Sequence, residues 1–149
     1  MTMWGHYAAG MRGFRIAYDT KTLLGSIDDA DAYPMQYELV PPSVDVAWWI
    51  NNCTKQINSP RLRAAQEEQM FQVKHKSWEF EGELRLRLRE PGARAYDPRA
   101  IRRVDFGRKM QQSDRDLVRH VLDRHHTPID YYSADLSEKS FSINYRYLP

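Results

Sequence analysis

The sequence predicts an α+β fold: a single domain with a mostly antiparallel sheet, two or three packed helices and a C-terminal β-hairpin. Three observations carry this. Short runs alternate apolar and polar residues and stop at Pro or Gly, the period of half-buried strands. Longer runs with helical spacing interrupt these strands, which points to α+β. Two alternating segments joined by four polar residues close the chain. At 149 residues, length predicts one domain, 1–149, that buries about two-thirds of its unfolded surface.

The elements follow in order. "MWGHYAAG" reads as a short helical turn closed by Gly10. "GFRIAYD" sets Phe14, Ile16 and Tyr18 against Arg15, Ala17 and Asp19, a half-buried strand. "GSIDDADAYP" reads as a polar loop, and "MQYELV" as a short strand stopped by Pro41 and Pro42. Ser43 is placed to cap a helix over "VDVAWWINNCTKQI", whose Val46, Trp49, Ile50, Cys53 and Ile57 fall at helical spacing. Ser59 and Pro60 start a second helix, "SPRLRAAQEEQMFQV". "REPGARAYDP" turns at Pro91-Gly92, and "AIRRVDFG" reads as a strand. Ser113 is placed to cap "DRDLVRHVLDRHH", with Leu117, Val118, Val121 and Leu122 as its buried stripe and Pro128 beyond its end. "IDYYSADL" and "FSINYRYL", joined by "SEKS", read as the hairpin.

Composition narrows the function classes. Hydrophobic residues make up 42% of the chain, with 4 Trp, 9 Tyr and 5 Phe, as in a folded globule. A net charge of +2 from 22 basic and 20 acidic residues is too small to argue for nucleic acid. The single cysteine, Cys53, excludes an internal disulfide and is expected as a small core hydrophobe. No segment approaches 18 or so consecutive apolar residues, the length that spans a membrane. "MTMWGHYAAGMRG" lacks the pattern of a secretory leader, so a cytoplasmic protein is expected.

One segment raises a question of chemistry. In "SWEFEGELRLRLRE", Trp78, Phe80, Gly82, Leu84, Leu86 and Leu88 alternate with Glu79, Glu81, Glu83, Arg85, Arg87 and Arg89. A helix would scatter the apolar residues, whereas a strand puts all of them on one face, so a strand is expected with the leucines inward. Carboxylates two apart on a strand lie ~6.6 Å from one another. They raise each other's pKa where water is poorly admitted, and a raised carboxylate is what a general acid needs. The same pattern also suits a solvated face paired to neighbouring strands. Gly82 suggests a bulge or a close approach by another group. "WGHY" packs an indole, an imidazole and a phenol together. That set suits a pocket for a planar ligand and equally suits a core corner. His120, His125 and His126 lack the three- or four-residue spacing of ligands on one helix face, so no metal site is expected.

Three blocks carry a family resemblance. "MWGHYAAGMRGFRIAYD" resembles the hallmark of a bacterial family known as domain of unknown function 2971: Met-Trp, His-Tyr-Ala, then a Gly-aromatic strand ending in Asp. "KHKSWEFEGELR" is similar to its second block, here Lys74, Trp78, Glu81, Glu83 and Arg85. "IRRVDFGRKM" with the following helix and hairpin resembles a third. Members carry an upstream segment with an Asn-Asp-Pro motif, so the resemblance implies a chain without that segment. It also implies Glu81, Glu83 and Arg85 as catalytic candidates and Trp4, His6, Tyr7, Lys74 and Trp78 as ligand-binding candidates. Glu79, Arg87 and Arg89 fall outside the motif and are read as solvated. Glu81-x-Glu83 resembles the Glu-x-Glu of some ADP-ribosyltransferases, although their Ser-Thr-Ser strand has no counterpart here. The expected function is a small NAD- or nucleotide-sugar-processing enzyme or its remnant, with NAD as the candidate cofactor. The alternative is a non-catalytic module that binds a nucleotide or protein partner in a defence or stress system. Nucleic acid and membrane are not expected partners.

Overall fold

The computed structural model describes residues 2–43, 45–47, 50, 71–88, 90–124 and 127–149. They form helices together with mostly antiparallel open sheets, an α+β fold. Both helices expected between Val44 and Val73, with Cys53, lie largely outside the described residues. So do Arg89, His125 and His126. Contacts divide the chain into two compact units, Met1–Asp29 with Glu90–Pro149, and Ala30–Arg89.

The first unit is built on a four-stranded sheet in the order β1-β6-β7-β8. Its strands are β1 (Phe14–Tyr18), β6 (Ile101–Gly107), β7 (Asp130–Leu136) and β8 (Ile143–Leu148). β1 runs antiparallel to β6, and β7 and β8 form the expected hairpin. β6 and β7 are parallel, a pairing that needs a crossover. Helix α3 (Gln112–Asp123) makes that crossover; α1 (Thr2–His6) and α2 (Thr20–Gly25) precede it in the chain. One sheet face packs against α3: Ile101, Val104, Phe106, Met110 and Tyr131 form a buried cluster that Val118 and Leu122 join. Phe106 and Tyr131 stack with ring centroids 5.9 Å apart. Only half of the expected α3 stripe is therefore inward. Leu117 (62%) and Val121 (50%) are exposed. Ser113 is not the cap either: Gln111 holds that position and makes no side-chain cap bond.

At one end of the opposite face, Trp4, Ala8 and Met11 pack on Ala134 and Ile143. Gly107 makes this possible. A Cβ on it would meet the Met11 carbonyl oxygen at 2.2 Å, and its N–H donates to the Gly13 carbonyl at 3.0 Å. Asp19 caps α2 by accepting from Thr22. Arg94 donates two bonds to Asp29 (3.1 and 2.8 Å), joining the stretches on either side of the second unit.

The second unit contains two two-stranded sheets. β2 (Ala30–Pro34) pairs antiparallel with β5 (Leu84–Leu88), and β3 (Gln36–Glu38) pairs parallel with β4 (Val73–His75). β2 lies where the sequence reads as a polar loop. Its Ala30, Ala32 and Pro34 sit opposite Leu88, Leu86 and Leu84. The long strand expected from Trp78 onward is also corrected. Lys76–Glu81 is a 3-10 helix, started by His75 and ended by Gly82 at φ +51. Gly82 thus supplies a left-handed cap, not a bulge or a close approach; a Cβ there would meet nothing within 4 Å. Only residues 84–88 form the strand, and its leucine face is not sealed: Leu84 is 48% and Leu86 40% exposed. Small residues opposite the leucines give them little to pack against.

Candidate functional site

Three local elements and the turn at Gly82 bring the second block together. β4 holds Lys74, the 3-10 helix carries Trp78 and Glu81, Glu83 follows Gly82, and Arg85 lies on β5. Glu83 is fixed by its backbone: its N–H donates to the Tyr37 hydroxyl (2.8 Å), and its carbonyl accepts from the Met35 N–H (2.9 Å). Tyr37 and Lys74 are register partners between β3 and β4. The five residues singled out in this block therefore meet through a turn of 3-10 helix, not along one strand.

The charges pair closely. The Lys74 ammonium donates to Glu81 and to Glu83 Oε2 (3.0 Å), and lies 4.9 Å from the centre of the Trp78 ring. Arg85 donates through Nε to Glu83 Oε1, through Nη2 to its Oε2 (3.5 Å), and through Nη1 to the Phe71 carbonyl (2.9 Å). Burial separates the acids: the Glu81 side chain is 4% exposed and that of Glu83 26%. Bonding by Arg85, and secondarily by Lys74, holds the Glu83 carboxyl below the usual range against the opposing effect of burial. Bonding to Glu81 raises Lys74, and bonding to Glu83 raises Arg85. Mutual repulsion would raise a carboxyl here, but Arg85, and after it Lys74, lowers Glu83 instead. Glu83 is thus a poor general acid and a good permanent anion; Lys74, kept protonated, is a poor nucleophile.

The flanking charges behave as surface groups. Glu79 pairs with Lys76 at 2.6 Å and is half exposed, and Arg87 lies 3.6 Å from Asp31.

The first block lies in the other unit. Trp4 is buried in the cluster with Ala8, Met11 and Ala134. His6 and Tyr7 are exposed, their rings edge-to-face at 6.4 Å, so this block is split between core and surface. Among the described residues, no group of three or more His, Cys, Asp or Glu is placed to hold a metal ion, and no helix is long and apolar enough to cross a membrane. Sequence reading passed over Asp105, which is fully buried on β6. The available signal was an acid between two apolar residues in a strand.

A search of curated proteins and of solved structures returns no match. A family model described as "Protein of unknown function (DUF2971)" matches residues 3–86, more than half of the chain. That span includes both blocks, from Trp4 to Asp19 and from Lys74 to Arg85. The chain belongs to the DUF2971 family.

Proposed function

We propose that this protein processes NAD or a nucleotide sugar, with Glu83 as the fixed negative charge beside the ribosyl carbon. The carrying observation is that Glu83 is held ionised while its side chain stays partly exposed. In such a reaction the bond to nicotinamide or to the nucleotide breaks and the leaving group departs with the electron pair. The anomeric carbon, that of the ribose in NAD, is left with positive character, which a carboxylate that needs no reorganisation stabilises. Water or another hydroxyl then adds and gives up its proton. Lys74 and Arg85 orient the Glu83 carboxylate, Trp78 offers a ring face, and the buried Glu81 positions Lys74.

The experiment is nicotinamide release from NAD, followed by chromatography. The parent should release it, Glu83→Gln should be slower by about 10²–10³-fold, and Glu79→Gln should match the parent. Equal release by parent and Glu83→Gln would remove this carboxylate from the mechanism.

A second reading has its own support. Lys74 and Arg85 balance Glu81 and Glu83, so the block carries no net charge, as in a structural network. Phe80, Leu84 and Leu86 are exposed on the same unit, as on a partner-binding module. Absence of any release by the parent would put this reading in front.

A further inference from the structure

We propose that the face of the four-stranded sheet opposite α3 binds a phosphate group carried on a planar ring, the chemistry of a mononucleotide, through Arg15, Arg103, Tyr145 and Tyr147. The inference does not depend on the role of Glu83, since it rests on a different sheet and different residues.

The register puts the residues on one face. Arg15 on β1 is opposite Asp105 on β6; Asp105 is level with Tyr132 on β7; and Tyr132 is opposite Tyr147 on β8. Arg103 and Tyr145 are two residues along their strands and share that face. Asp105 is fully buried. Arg15 donates to its Oδ2 through Nε (2.8 Å) and Nη2 (2.5 Å), and Arg103 to its Oδ1 through Nε (2.5 Å). One carboxylate thus fixes two guanidinium groups side by side and leaves one positive charge in excess. Arg103 lies 3.8 Å from the centre of the Tyr132 ring and 4.6 Å from that of Tyr145, which Arg15 also faces at 5.2 Å.

One guanidinium would already neutralise the buried Asp105 carboxylate, so the second exceeds what its burial requires. Two further features point to a ligand. The Nη2 of Arg103 is shielded from water and has no hydrogen-bond partner. Arg15, on the other side, is half exposed. Guanidinium groups fixed in this way match the oxygens of a phosphate, which can accept from both. The rings of Tyr145 (37% exposed) and Tyr147 (56%) offer surface on which a planar group stacks.

The test is calorimetric titration of the full chain with AMP, adenosine and inorganic phosphate, using the parent, Arg15→Gln and Tyr147→Ala. AMP should bind in the sub-millimolar range, and adenosine and phosphate each about tenfold or more weaker. Both variants should weaken AMP about tenfold, equivalent to 1.4 kcal/mol, with parent-like circular dichroism. No binding of AMP at millimolar ligand would overturn the proposal, as would parent-like affinity in both variants. Phosphate binding as well as AMP would overturn the part assigned to the ring. Nicotinamide release does not enter this readout, so either result can fail alone.

Discussion

Glu81 and Glu79 are two residues apart on one short helix, yet removing their charges should have different consequences. Glu81 is almost fully buried against the Lys74 ammonium, so Glu81→Gln weakens a charge-assisted bond inside the unit. A loss of about 1–3 kcal/mol is expected in urea unfolding. Glu79 is a half-exposed partner of Lys76, and Glu79→Gln should stay within about 0.5 kcal/mol of the parent. Gly107→Ala is a steric test of the same scale. Its new methyl would sit 2.2 Å from the Met11 carbonyl oxygen, and backbone on both sides must move. Overpacking of this kind costs about 1–3 kcal/mol, so the midpoint of thermal unfolding should fall clearly. The composition of the Lys74–Arg85 cluster was legible in the sequence, because its motif names the residues that meet. Which acid would be buried was not, because alternation treats Glu81 and Glu83 as equivalent.

For whole elements, the informative cases are two leucine-bearing segments. Periodicity alone puts Leu84, Leu86 and Leu88 inward, but β5 is paired with a strand that offers Ala30, Ala32 and Pro34 on the leucine side. Leu86→Ala should therefore cost no more than about 0.5 kcal/mol, far less than a core leucine, as denaturant unfolding would show. On α3, Leu122→Ala should cost about 2 kcal/mol because Leu122 packs on the sheet, while Leu117→Ala should be nearly silent. Equal costs for the two would mean that both sides of the helix are covered. β2 and the 3-10 helix escaped periodicity for a physical reason. β2 is five residues long, with two Ala, one Asp and a Pro, and its strand state depends on pairing with β5. The 3-10 turn is stabilised by the His75 side chain at its start and by the left-handed Gly82 at its end, signals that the stronger two-residue alternation hid.

Across the molecule, titrating groups set the pH range of stability. Arg85 holds Glu83 below its usual value, so its contribution is present above the ordinary carboxylate range and is lost as pH falls through its lower folded-state value. Burial, then bonding to Asp123, pushes the Tyr131 hydroxyl up from 10.0 to about 12; burial and Tyr96 do the same to Tyr18. A raised pKa means that the folded chain keeps a proton which the unfolded chain releases. That stability is complete below pH 10 and declines between 10 and about 12. Urea midpoints measured from pH 3 to 12 should therefore show a plateau that falls at both ends. Tyr131→Phe should flatten the alkaline limb, and an unchanged limb would assign it elsewhere.

Local pattern alone determined the α+β class, the strands at Phe14–Tyr18, Gln36–Glu38 and Ile101–Gly107, the terminal hairpin and the family. Each rests on alternation, turn residues or motif spacing over a few neighbouring positions. Only tertiary structure decided what those positions face. The parallel pairing of β6 with β7, the inward half of α3, the exposed leucine face of β5 and the burial of Asp105 each depend on residues distant in sequence. Alternation shows that side chains point to opposite sides of a strand; what covers each side is a property of the partner.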